Sequence, residues 1–180
     1  KLFTPQGALG DGGVLMFNLF RKMFRENPGG VRIDHFVGLV DPWVYKAGKT
    51  PKVEDGAGRL YSSPEHPELS KYAIPSMTDL NLDVDPDNEY RFRTLSTAQI
   101  SRYARLIEKI IIAAAQTEGV DKDSIICEDL GTLTYPVEKV MEQFNLNGMR
   151  VTQFVKPEDP KHPYRGKNTK ESDWIMMGTH

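Results

Sequence analysis

Apolar side chains recur at helical spacing over residues 14–24, at Val14, Phe17, Phe20 or Leu19, Met23 and Phe24, which predicts an amphipathic helix. Asn27-Pro28-Gly29-Gly30 closes it, because proline cannot continue a helix and glycine accepts a reversed backbone. Residues 31–36 read as a short apolar strand. Regular structure resumes at Ser96, which forms a capping box with Gln99 three positions on. Ile100, Tyr103, Ala104, Ile107, Ile110, Ile111 and Ala114 then mark one helical face, and Gly119 stops the helix. Residues 124–127 form a buried strand running into Glu128. A helix over residues 136–144 turns Val137, Val140, Met141 and Phe144 inward. Gly148 turns the chain into a strand at 149–154, and residues 174–177 form a last short strand.

Strands alternating with helices imply a parallel sheet, since each crossover must return to the same end. That pattern fits either an open doubly wound sheet or a closed (β/α) barrel. No strand is followed by a glycine-rich phosphate fingerprint, so a dinucleotide site has little support. What recurs is a polar cluster at the carboxyl ends of strands, where barrel enzymes place their chemistry. Residues 46–95 interrupt the alternation: rich in Pro, Gly, Ser, Asp and Glu and without a sustained period, they read as a long excursion from the core. Loops of this length in compact domains are usually lids or binding loops, with a partly disordered insertion as the plainer alternative.

Composition narrows the functional classes. The net charge of −2 and a pI near 6.1 leave no long-range field to gather nucleic acid or an anionic membrane. The longest aliphatic run, residues 110–115, is far too short to span a bilayer, and no signal peptide is visible. The single cysteine, Cys127, fits a reducing compartment, and a cytoplasmic location is expected. Its neighbours Ile125 and Ile126 suggest a buried strand thiol. The chain opens on Lys1 rather than Met, which reads as a cut.

Three clusters carry candidate chemistry. In Arg32-Ile33-Asp34-His35-Phe36, strand alternation puts Arg32 and Asp34 on one side, where the guanidinium can orient the carboxylate by charge-assisted hydrogen bonds. From this cluster alone, a structural Arg–Asp pair and an oriented nucleophile read equally well. In Ile126-Cys127-Glu128-Asp129, a carboxyl ending an apolar strand is partly desolvated, as a proton donor to a leaving oxygen requires. Asp129 reads as a residue that orients the turn or caps the next helix. The third cluster, Met177-Gly178-Thr179-His180, gains weight only from following the last strand. Two carboxylates in contrasting settings at neighbouring strand ends suit glycoside chemistry, one attacking the anomeric carbon and the other exchanging protons with the departing and arriving sugars. The four histidines, His35, His66, His162 and His180, are too scattered for a metal site, and no nucleophile elbow is present.

Taken together, the blocks Val31-Arg32-Ile33-Asp34-His35-Phe36 with Gly38 and Trp43, Glu128-Asp129-Leu130-Gly131, Gly148-Met149-Arg150-Val151-Thr152-Gln153-Phe154, and Gly178-Thr179-His180 resemble the amylomaltases. These are 4-α-glucanotransferases, or disproportionating enzymes, of the α-amylase superfamily. The resemblance spans residues 14–45 and 96–180 and is poor across the excursion. It implies an α/β fold that is part of a (β/α)8 TIM-type barrel, about four strands, with residues 1–180 as a partial catalytic domain and 46–95 as an insertion. It implies retaining transfer of an α-1,4-glucan segment, with a maltooligosaccharide or α-glucan as partner and no cofactor or metal. Asp34 then looks like the nucleophile and Glu128 the general acid/base. Arg32, His35, Trp43 and His180 look like substrate-binding residues, Arg32 also orienting the nucleophile.

The chain departs from the family in three places. The family's histidine is followed by an aspartate that braces the distorted sugar, whereas this sequence ends at His180. Val37 stands where many relatives carry arginine. The spacing from Asp34 to Glu128 is roughly twice that of compact bacterial members, the excess being the excursion. Its Tyr45, Tyr61 and Tyr72 are candidates for stacking on sugar or for local packing. Two other readings stay open on sequence alone: a glucan-binding module without chemistry, and a metal-dependent barrel lyase or isomerase. Oligomeric state is not legible.

Overall fold

The computed structural model describes residues 13–85, 88, 90–92, 94–131 and 133–178. Helix α1, Val14–Glu26, buries Phe20 and Phe24, with Phe17 and Met23 packed partly against the same core, while Val14 and Leu19 face outward. Asn27 caps it and Gly30, at φ 135°, turns the chain into β1, Val31–Ile33. A Cβ on Gly30 would lie 2.8 Å from the Ser124 carbonyl oxygen, so this entry to the sheet needs glycine.

β1 is half the length the apolar run suggests. Residues 34–36 form a turn, with His35 in the left-handed region at φ 48°, before the short helix α2, Val37–Val40. Ile33 and Phe36 both enter one core, and on a continuous strand residues three apart would face opposite sides. The turn resolves that conflict.

β2, Trp43–Val44, pairs antiparallel with β3, Gly58–Arg59, inside the excursion. The excursion is irregular but tied down. Ile74 and Leu95 join the main core, the Ile74 amide donates to the Tyr61 carbonyl (2.7 Å), and the Tyr103 hydroxyl donates to the same oxygen (3.1 Å). Tyr61 also packs edge-on against the Tyr103 ring, a local packing contact; Tyr45 and Tyr72 are exposed.

Helix α3, Thr97–Leu106, starts at the expected box: Ser96 Oγ accepts the Gln99 amide (3.3 Å) and Gln99 Oε1 accepts the Ser96 amide (2.7 Å). It continues through a wider π-helical segment, Ile107–Ile112, into α4, Ala113–Glu118. All seven residues of the expected face are buried. The apolar spacing carries no mark of the π segment. Gly119 ends α4 at φ 69°. Glu118 then clasps α1 through Arg25 and Arg21, whose hydrogen bonds hold its carboxyl down at about 2.

β4, Ile125–Cys127, leads through the Glu128 turn to α5, Tyr135–Phe144, which buries Val137, Val140 and Met141. β5, Asn147–Val151, is buried at every position, as a strand covered on both faces should be. Gly148 lies inside β5 rather than in a turn before it, and residues 152–154 leave the strand as a 3₁₀ turn. β6, Trp174–Met176, closes the order β1-β4-β5-β6, with every pair parallel. This is a mixed α/β arrangement compatible with part of a TIM barrel. Among the described residues no helix is long and apolar enough to cross a membrane.

Candidate active site

Register brings the two candidate carboxylates to one end of the sheet. Ile33 pairs with Cys127, so Asp34 and Glu128 are the next residues of parallel neighbours. The ladder continues past both strands: the Glu128 amide donates to the Ile33 carbonyl (2.8 Å) and the Phe36 amide to the Glu128 carbonyl (3.0 Å).

The Glu128 carboxylate is fixed at both oxygens. Oε2 accepts the His35 amide at 2.9 Å and Oε1 accepts the Leu130 amide at 2.7 Å. His35 therefore acts at this site through its backbone, and the left-handed turn is what aims that N–H at Glu128. The desolvation expected of Glu128 is partial, since the residue is half-buried. Asp34 is open to solvent, and Arg32 grips its Oδ1 directly. Gly38 sits under the His35 ring, where a Cβ would come within 3.1 Å of Cδ2.

Asp129 does not cap a helix. Thr134 holds the cap position of α5, and Asp129 is wholly buried beneath Glu128. Its Oδ1 accepts the Met149 amide (3.2 Å), and its Oδ2 takes a short hydrogen bond from Arg150 Nη1. Burial pushes the Asp129 carboxyl above its ordinary range, with Arg150 pulling against it. Burial also works against the Arg150 charge, but Asp129 and Asp173 outweigh it and raise the guanidinium. Arg150 Nε reaches Asp173 Oδ2 at 3.2 Å, completing a buried acid–base–acid chain across β4, β5 and the entry to β6. A Cβ on Gly148 would lie 2.5–2.7 Å from the Arg150 guanidinium, so that glycine makes room for the chain.

Sequence reasoning missed this brace. The available signal was a charged residue two positions beyond a glycine inside an apolar strand. It also missed Tyr164, whose hydroxyl donates to the Asp129 carbonyl and accepts the Gly131 amide, both at 3.3 Å. Cys127 is fully buried as expected, and burial pushes its thiol up.

Trp43 is engaged elsewhere. Its indole N–H donates to the Pro51 carbonyl (3.1 Å), and Arg59 lies over its ring at 6.0 Å, both within the excursion. His180 and Thr179 lie outside the described residues, and Met177 before them is exposed. Among the described residues no group of three or more His, Cys, Asp or Glu side chains could hold a metal ion.

Against known proteins, the sequence profile described as 4-alpha-glucanotransferase matches residues 15–180. The chain belongs to the 4-alpha-glucanotransferase family. It is also similar to the chloroplastic/amyloplastic 4-alpha-glucanotransferase of Solanum tuberosum, at 33% identity over 63 residues. That stretch is 35% of this chain and 11% of the potato protein, so the chain spans a small part of the relative it matches.

Proposed function

We propose that this chain carries the central catalytic pair of a retaining 4-α-glucanotransferase acting on α-1,4-glucans. Asp34 attacks the anomeric carbon while Glu128 gives its proton to the departing glycosidic oxygen. The carbon–oxygen bond to the leaving sugar breaks as an ester bond to Asp34 forms. The acceptor's 4-hydroxyl then returns a proton to Glu128, and its oxygen displaces Asp34 to complete the transfer. Arg32 orients Asp34 and contacts sugar. His35 positions Glu128 through its amide and, with Trp43 and His180, is assigned to substrate by the family resemblance.

The observation that carries this reading is the parallel register of β1 and β4, with Glu128 Oε2 bonded to the residue next to Asp34. Retention asks for carboxyl groups about 5–5.5 Å apart, against roughly 6.5–9.5 Å for inversion. The potato relative's name places that protein in the plastid, so it lends nothing to a cytoplasmic address, for which the lone buried thiol of Cys127 is the only support.

The test is Asp34→Asn and Glu128→Gln in the full-length protein, with maltotriose disproportionation and maltooligosaccharide binding measured side by side. Glu128→Gln should lower turnover about 10²–10⁴-fold, the usual range for a lost general acid, with binding retained. Unchanged turnover in either variant rejects the assignment.

A further inference from the structure

Beside the Glu128 turn lies a cavity of about 580 Å³, a size within the roughly 300–1,000 Å³ typical of small-ligand sites. Leu130 and Gly131 form one wall, and Leu130 is the residue whose amide holds Glu128 Oε1. Phe154 and Lys156, just beyond β5, form a second, and Tyr164 lines it as well. The remaining wall includes Asn88, from the excursion.

Asn88 is held by a local bond to Tyr90, and Tyr90 in turn bonds to a distant segment. Its Oδ1 accepts the Tyr90 amide (2.8 Å), and the Tyr90 hydroxyl donates to Asp159 Oδ2 (3.0 Å) on the loop after β5. Arg91, buried, anchors the same stretch through the carbonyls of Asn81 (3.1 Å) and Val84 (2.7 Å) and through Glu65 (3.1 Å). The excursion thus reaches back over the sheet and docks beside the β4 and β5 loops.

Position along the sheet says which sugar the cavity faces. Going from β1 to β4 to β5, the order is Asp34, Glu128, cavity. A nucleophile touches the donor's anomeric carbon, and an acid/base touches the oxygen that links donor to leaving or incoming sugar. The space beyond the acid/base is therefore on the acceptor side. Its lining suits a glucosyl unit: the Phe154 ring for the C–H face, with the Asn88 side-chain amide for a hydroxyl.

We infer that Asn88, braced by the Tyr90–Asp159 bond, makes the excursion a wall of the acceptor-sugar subsite and sets which acceptor is used. The inference rests on the assignment of Glu128 as acid/base. It is tested in the full-length protein by comparing kcat/KM for glucose and for maltotriose as acceptors with one common donor. Asn88→Ala should shift that ratio about fivefold, what one lost neutral hydrogen bond amounts to. Tyr90→Phe, which removes the hydroxyl that reaches Asp159, should shift it in the same direction. Asn88→Asp retains an acceptor for the Tyr90 amide but loses the amide donor, so it should shift the ratio as Asn88→Ala does. A ratio within twofold of wild type in the Asn88→Asp variant, or an equal fall for both acceptors in Asn88→Ala, overturns the inference. Glu128→Gln in the same assay separates the two failures: if it leaves turnover intact, the acid/base assignment falls; if it abolishes turnover while the Asn88 ratios stay flat, only the subsite does.

Discussion

Asp41 should make the protein less stable as pH rises from about 4 to 7. The residue follows α2 and is wholly buried. Its Oδ1 accepts the Tyr61 amide (2.9 Å), while its Oδ2 has no hydrogen-bond partner of ordinary geometry. Burial pushes its carboxyl from 3.8 up to about 6, with Ser62, Tyr61 and Arg59 opposing the shift. The folded state therefore holds a proton that the unfolded chain releases between those values. Below 3.8 both states are protonated and the contribution is complete; as pH rises through about 6 it is lost. A shift of roughly two pKa units at about 1.36 kcal/mol each gives about 3 kcal/mol. Asp41→Asn keeps an oxygen for the Tyr61 amide and stays neutral at every pH. Urea unfolding of wild type and variant at several pH values isolates this residue, because other titrating groups cancel in the difference. The variant's advantage should grow with pH towards about 3 kcal/mol near neutrality. A difference that stays flat from pH 4 to 7, or that turns against the variant, refutes the argument.

Arg150→Met should cost about 3–5 kcal/mol in thermal or chemical unfolding, because it strands the buried Asp129 charge without its cation; a loss below about 1 kcal/mol, the scale of a surface pair, would show that the chain does not brace the sheet. The isolated chain should disproportionate maltotriose negligibly, since its described sheet has four strands where a closed (β/α)8 barrel needs eight; turnover at an ordinary rate by the 180-residue chain would overturn that expectation.

Most of the alternation was legible because it rests on local rules. Helical spacing placed α1, the long helix of α3 and α4, and α5, and the Ser96–Gln99 box and Gly119 marked ends that the backbone obeys. What failed was decided by distant contacts. The strand at 31–36 stops at Ile33 because Phe36 must enter the core and the His35 amide is drawn to Glu128, nearly a hundred positions on. Gly148 reads as a turn residue until Arg150 is seen to need its space. The position of two carboxyls at neighbouring strand ends was legible, but the contacts behind them were not: Arg150, Asp173 and Tyr164 join the Glu128–Asp129 turn through tertiary contacts that no sequence period records.

The placement of Asp34 beside Glu128 does not depend on how the sheet is completed. It follows from one strand pair, Val31 with Ile125 through Ile33 with Cys127, and from the two backbone bonds that carry that ladder onward. A one-residue slip of β4 would turn Cys127 and Ile125 out of the core, where both are now fully buried, so packing itself holds the register. The same slip would point Glu128 away from the His35 amide. Core burial and site geometry are thus enforced by a single alignment: the hydrophobic pattern of two three-residue strands fixes which ends the two acids occupy.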